Sequence, residues 1–152
     1  MAMDKTDSAL LRLLQQDANQ TAESLGQHLR LSPSQAGRRR QRLEAAGLIS
    51  GYAARVDAEA VGLGVQAMIQ VHMAAHAPDA AQSFAALVAA TPEITSAWVM
   101  TGDADYLLRI FCTDLAALNR LVQEVLLPHS SVARVQSQIV MAQLKPDGPL
   151  PL

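Results

Sequence analysis

The chain has 152 residues, half of them apolar and 17% charged, with a formal net charge of −2; this leaves room for one medium domain or two small ones and excludes a disordered or collagen-like chain. No apolar run reaches the roughly 18 residues needed to cross a bilayer, and Met1 to Asp7 carries charge where a secretory leader needs an apolar stretch, so no membrane partner and a cytoplasmic location are expected. Cys112 is the single cysteine, which rules out an intrachain disulfide and a cysteine-based zinc cluster.

In chain order, Asp4 to Gln16 reads as a first helix, with Leu10, Leu13, Leu14 and Asp17 at helical spacing on one face and Lys5, Arg12 and Gln15 on the other. Thr21 to Leu29 reads as a short second helix capped by Thr21, its apolar face being Ala22, Leu25 and Leu29. Ser32-Pro33 then carries a helix start, since the Ser32 hydroxyl can cap and Pro33 suits the first helical position, where no backbone donor is needed. This third helix runs to about Gly47. Ala36 and Leu43 form its inner face, with Arg40 close to it, and Ser34, Gln35, Arg38, Arg39 and Arg42 point outward. Leu48 to Tyr52 reads as a short extended piece leaving the domain.

The net charge of −2 looks unsuited to nucleic acid until it is divided along the chain. Residues 1–60 hold eight Lys/Arg against seven Asp/Glu, a local +1, and residues 61–152 hold four against seven, a local −3. From Arg30 to Arg42 there are five arginines and no acid; acid partners are absent in sequence until Glu44. Such a one-signed helix face suits phosphate, and three helices of this kind suit a helix-turn-helix whose last helix enters a major groove. Ser34, Gln35 and Arg38 lie near the start of that helix, where base edges are read, and arginine matches the O6 and N7 acceptors of guanine; Ser32, at the cap, is expected to contact DNA as well. Arg39 and Arg42 are expected to meet phosphate.

Beyond Gly62-Leu63-Gly64, read as a hinge, the pattern changes. Gln66 to Ala74 alternates as a half-buried strand, with Ala67, Ile69, Val71 and Met73 on one face. Pro78-Asp79 opens a helix striped by Phe84, Leu87 and Val88. Ile94 to Met100 is a strand, Thr101 to Ala104 a turn, and Asp105 to Cys112 another strand. Asp114 caps a helix whose face is Leu115, Leu118, Val122 and Val125, and Val132 to Leu144 is the last strand. The order βαββαβ is that of a ferredoxin-like sandwich, with both helices on one face of an antiparallel sheet. Its other face is too apolar to be left wholly wet, so a second subunit is expected to cover it. The expected fold is therefore α+β, a (winged) helix-turn-helix followed by a ferredoxin-like domain. Its boundaries are 1–50 for the DNA-binding part, 51–64 for a linker strand and hinge, 65–145 for the second domain, and 146–152 for an extended tail.

The blocks Met3-Asp4-Lys5-Thr6-Asp7, Leu31-Ser32-Pro33-Ser34, Arg39, Arg42-Leu43-Glu44, Gly47-Leu48-Ile49, Gly51-Tyr52 and Gly102-Asp103-Ala104-Asp105-Tyr106-Leu107-Leu108, in this order and spacing, resemble the Lrp/AsnC regulators, the feast/famine or leucine-responsive family. The resemblance covers nearly the whole chain. It implies sequence-specific binding of double-stranded DNA, self-association to dimers and on to tetramers or octamers, and an amino-acid effector bound between C-terminal domains. Two positions depart from the family's usual apolar residues. Gly37 costs a helix interior about 1 kcal/mol relative to alanine, and Arg40 lies near the core face, so the third helix is expected either to be bent or to send Arg40 to phosphate.

From residue types alone, Gly102-Asp103-Ala104-Asp105 is a hairpin turn. The resemblance places this loop at the effector site, with Thr101, Gly102 and Asp105 as first contacts, Asp103 and Tyr106 beside them, and His129 as a lesser candidate, since a histidine at a helix end ordinarily serves the last carbonyls. His72 and His76, four residues apart on a strand, stand about 13 Å apart and cannot share a metal ion; neither a metal nor a resident cofactor is expected. No nucleophile elbow, phosphate loop or Cys/His pair points to an enzyme. Two other readings are an architectural protein that coats DNA without an effector, and a metabolite-binding module with a degenerate helix-turn-helix.

Overall fold

The computed structural model describes residues 3–74 and 78–152. The chain forms two compact units, Met1–Arg55 with Leu144–Leu152, and Val56–Gln143.

In the first unit, α1 spans Lys5–Gln16, α2 Ala22–Leu29 and α3 Pro33–Ala45. Each start is capped by the residue before it. Asp4 and Asp7 form a reciprocal capping box on α1, Thr21 Oγ1 accepts from the Ser24 amide, and Ser32 and Gln35 form a second box on α3, with Pro33 at its first position. Such caps satisfy amide donors that the helix itself leaves unbonded. The core is Leu10, Leu11, Leu14, Leu25, Ala36 and Leu43. Leu11 and not Leu13 completes the buried stripe of α1, and Ala22 is exposed. The expected wing and the strand within 51–64 form no ladder among the described residues; a strand needs a partner for its amides and carbonyls, and none of the described residues pairs with this segment in a ladder. The tail returns to α1, where Gln15 Nε2 donates to the Leu150 carbonyl at 3.3 Å and Arg12 donates to the Leu152 carbonyl at 2.8 Å.

In the second unit, β1 is Val65–Met73, α4 Pro78–Ala90, β2 Ile94–Val99, β3 Tyr106–Cys112, α5 Leu115–Arg120 and β4 Val132–Ile139. The sheet is antiparallel with order β2-β3-β1-β4, as a ferredoxin-like βαββαβ chain requires. Because side chains alternate across a strand, Ala67, Ile69 and Val71 and their β3 neighbours Leu108, Ile110 and Cys112 share one face, which is buried with Phe84, Leu118, Leu121 and Leu126 from the helices. The opposite face carries Met68, Leu107, Phe111 and Trp98 among Gln66, Gln70, Gln136 and Gln138.

Two expectations change here. Strand β4 ends at Ile139 and not at Leu144, since β1 offers partners only as far as the Val140–Gln66 bond. The helix after Asp114 does not keep the stripe through Leu115, which is 57% exposed. From Leu121 to Leu126 the helix is wound as a π-helix, with the Leu127 amide bonded five residues back to Val122. That winding places Leu121 and Leu126 together on the sheet, while Val122 and Val125 pack at the rim.

Candidate nucleic-acid interface and effector loop

Helix α3 turns Ala36 and Leu43 fully inward and leaves Ser34, Gln35, Arg38, Gln41 and Arg42 exposed. Ser34, Arg38 and Gln41 fall at helical spacing and form one outward strip. Spacing from Ser34 could have found Gln41, which sequence reasoning passed over. Ser32 and Gln35 are partly engaged in their own cap: Ser32 Oγ accepts from the Gln35 amide at 3.2 Å, and Gln35 Oε1 accepts from the Ser32 amide at 3.0 Å. Among the described residues, Arg38 has no hydrogen bond or ion pair, and its side chain is in solvent.

The other arginines are tied into the unit. Asp7 is 1% exposed, and its carboxylate accepts from Arg39 at 2.7 Å, twice from Arg42 at 2.8 Å and from the Asp4 amide at 3.2 Å. Arg39 also donates to Asp4 at 2.8 Å. These pairings hold the Arg39 guanidinium further into its charged range, through Asp4 first and Asp7 second. The Asp4 carboxyl is lowered by the Asp7 amide and then by Arg39. The acid partners absent from the sequence around the arginines are therefore supplied by α1, more than thirty residues away. Aspartates in the first turn of a helix read locally as caps, so spacing along the chain does not reveal them.

Neither family departure disrupts α3, which is continuous through Gly37. Arg40 is not sent outward. It donates to the Gln20 carbonyl, Glu44 and the Tyr52 hydroxyl, each at 3.0 Å, and lies over the Tyr52 ring at 4.8 Å. The turn before α3 is tight. Arg30 takes the left-handed conformation at φ 56°, and a Cβ on Gly26 would lie 2.7 Å from the Leu31 carbonyl oxygen, so only glycine fits there. A lone glycine in a short helical pattern was the available sign of this.

In the second unit, Thr101, Gly102 and Asp103 form the exposed link from β2 to β3, and Gly102 adopts φ +111°, a conformation suited to glycine. Asp105 closes the link: its carbonyl accepts from the Met100 amide at 2.9 Å, its amide donates to Val71 at 3.0 Å, and its carboxylate accepts from the Met73 amide at 2.7 Å. Asp103 turns to the outer sheet face, 3.3 Å from Arg134 and 4.0 Å from His72. Tyr106 and His129 instead meet on Phe84, with ring centroids 4.7 Å and 5.6 Å from it. The His129 amide donates to the Leu126 carbonyl at 3.2 Å, but its ring does not serve the last helix carbonyls as expected. Nδ1 accepts from the Ser131 amide at 3.3 Å, which leaves Nε2 to donate to the Ser83 hydroxyl at 3.1 Å in the neutral ring. The effector candidates thus divide between a polar loop and an aromatic group on the helix side. His76 lies outside the described residues.

Among the described residues no helix is long and apolar enough to cross a membrane. An AsnC-type helix-turn-helix model matches residues 3–44, and a model of the Lrp/AsnC ligand binding domain matches residues 66–150. A transcriptional regulator of Neisseria meningitidis, solved as a complex with L-Met, is 41% identical with a TM-score of 0.94, covering 99% of this chain and 97% of that one. An AsnC family transcriptional regulator from Agrobacterium tumefaciens is 30% identical with a TM-score of 0.91, over 98% of this chain and 97% of that one. The DNA-binding transcriptional activator DecR of Escherichia coli is 30% identical over 150 residues, 99% of each chain.

Proposed function

The chain belongs to the Lrp/AsnC family of transcriptional regulators, and from that premise we propose that it binds double-stranded DNA through α3 as a homo-oligomer and answers to an amino acid held at the loop between β2 and β3. It is a DNA-binding regulator, and we read it as that and not as an enzyme, acting in the cytoplasm. The carrying observation is Arg38, an exposed guanidinium on an ordered, capped helix with no acid engaged to it among the described residues. Ser34, Gln35 and Arg38 address base edges, and Ser32 at the helix start receives phosphate, where a helix N-terminus favours an anion. In a dimer two such helices meet successive major-groove faces, about 34–36 Å apart.

The effector carboxylate is assigned to the amides around Thr101 and Gly102 and its ammonium to the carboxylates of Asp103 and Asp105, with Tyr106 and His129 flanking. The relative solved with L-Met supports an amino acid as the ligand class. The outer sheet face, with Met68, Trp98, Leu107 and Phe111, supports self-association to a dimer, with tetramers or octamers built from it.

The test is binding of the full chain to a duplex from its own upstream region across a salt series, with and without a pool of amino acids. Tight binding that Arg38→Ala weakens, that random duplex competes poorly and that the pool shifts supports the whole reading, since specific sites exceed random ones by about 10³-fold or more. Equal competition by random duplex with no effect of the pool favours an architectural protein instead.

A further inference from the structure

We propose that Asp7 is a positioning residue of the recognition helix, which keeps Arg39 and Arg42 turned into the N-terminal unit so that on random DNA, where Arg38 has no cognate base edge to read, the charge α3 offers to phosphate comes chiefly from Arg38. The proposal rests on the DNA-binding reading and concerns how that binding divides between phosphate and base.

The Asp7 carboxylate is removed from water and receives four hydrogen bonds, three of them from the two guanidiniums. Arg39 is fastened twice, to Asp7 and to Asp4. Moving either guanidinium to a phosphate strips a charge-assisted bond from a buried anion, and an anion left short of partners away from water is far costlier than a screened surface contact is favourable. Arg40 is held as well, by Glu44, the Gln20 carbonyl and Tyr52. Of the four arginines on α3, Arg38 is the one with no partner among the described residues. Phosphate contacts supply essentially all non-specific binding. A helix rich in arginine but sparing in free charge therefore loses affinity for random DNA while keeping its base contacts, which raises discrimination.

The experiment uses the full chain and a 30-base-pair duplex of random sequence over a salt series. The variants are Asp7→Asn, Arg42→Gln and Arg38→Gln, with folding followed by circular dichroism. Each phosphate contact contributes about 0.9 to the log–log slope. Arg38→Gln is expected to lower the slope by about 0.9 and Arg42→Gln to leave it unchanged. Asp7→Asn is expected to steepen it by about 0.9 to 1.8 as one or both guanidiniums are released. A slope lowered as much by Arg42→Gln as by Arg38→Gln overturns the proposal, as does a folded Asp7→Asn protein with the wild-type slope. If Asp7→Asn does not fold, Arg42→Gln and the side-chain nitrogen spectrum decide. Exchange-protected guanidinium signals of Arg39 and Arg42 in the free protein that persist on the duplex support the hold, and their loss on adding duplex refutes it. A wild-type chain that binds no duplex at the lowest salt counts against DNA binding itself, whereas unprotected guanidiniums in the free protein count against Asp7.

Discussion

Two glycines in neighbouring helices carry opposite demands. A Cβ on Gly37 would meet only the Ala22 methyl at 3.7 Å, an ordinary contact, and the residue sits in regular helix. Gly37→Ala is therefore expected to stabilise the first unit by about 0.5–1 kcal/mol in urea unfolding, chiefly by restricting the unfolded chain. Gly26→Ala drives a methyl against backbone at 2.7 Å and is expected to destabilise by about 1–3 kcal/mol, as overpacking does. Asp7 is the third informative residue. Asp7→Ala leaves Arg42 without its carboxylate and Arg39 with Asp4 alone, but Arg39 and Arg42 keep 27% and 48% of their side chains in solvent. The expected loss is thus roughly 2 kcal/mol, below the ~3–5 kcal/mol for breaking a fully buried pair.

At the scale of elements, the caps set the acid sensitivity. Asp114 starts α5 by accepting from the Ala117 amide at 2.7 Å, and that bond holds its carboxyl below the ordinary aspartate value. A carboxyl lowered in the folded state adds stability that is fully present above its unfolded value, near pH 4, and is lost as pH falls through the folded value. Asp4 on α1 behaves in the same direction, with the Asp7 amide as the leading cause. Asn caps a helix about as well as Asp without titrating. Asp114→Asn is therefore expected to melt close to wild type at pH 6 and to lose less than wild type on going to pH 3. A variant that falls as steeply as wild type would place the acid loss elsewhere. The π-wound end of the same helix shows what local pattern misses. A stripe spaced for ordinary helix selects Leu115, but the wide turn brings Leu121 and Leu126 onto the sheet.

For the whole molecule, the two units have separate hydrophobic clusters, so damage to one need not loosen the other. In Asp7→Ala, amide exchange is expected to accelerate at Leu10, Leu14, Leu25 and Leu43 and to stay slow at Ile69, Leu108 and Ile110. Equal acceleration in both sets would show that they unfold together. The outer sheet face is tested by assembly: Trp98 is 43% exposed beside Leu107 on the same face, and Trp98→Asp is expected to lower the sedimenting mass. An unchanged mass would mean that any self-association uses another surface.

Much of this protein was decided by sequence alone. Alternation from Gln66 onward, the cap-and-proline start at Ser32 and the Asp114 cap are short-range signals, and short-range physics carries them into elements with little help from elsewhere. The order of those elements then leaves few sheet topologies, and the motifs at Met3–Asp7, Leu31–Ser34 and Gly102–Leu108 carried the family. The loop from Thr101 to Asp105 was legible as a turn, but the bond from the Asp105 carboxylate to the Met73 amide was not, because it joins segments 32 residues apart. What only the tertiary structure decided is which charges are spent inside the fold. Arg38, Arg39, Arg40 and Arg42 are chemically alike in the sequence, and packing α1 against α3 gives Arg39 and Arg42 a buried carboxylate while Arg38 is left in solvent. An ion pair depends on distance through space, and the chain sets that distance only once it has folded.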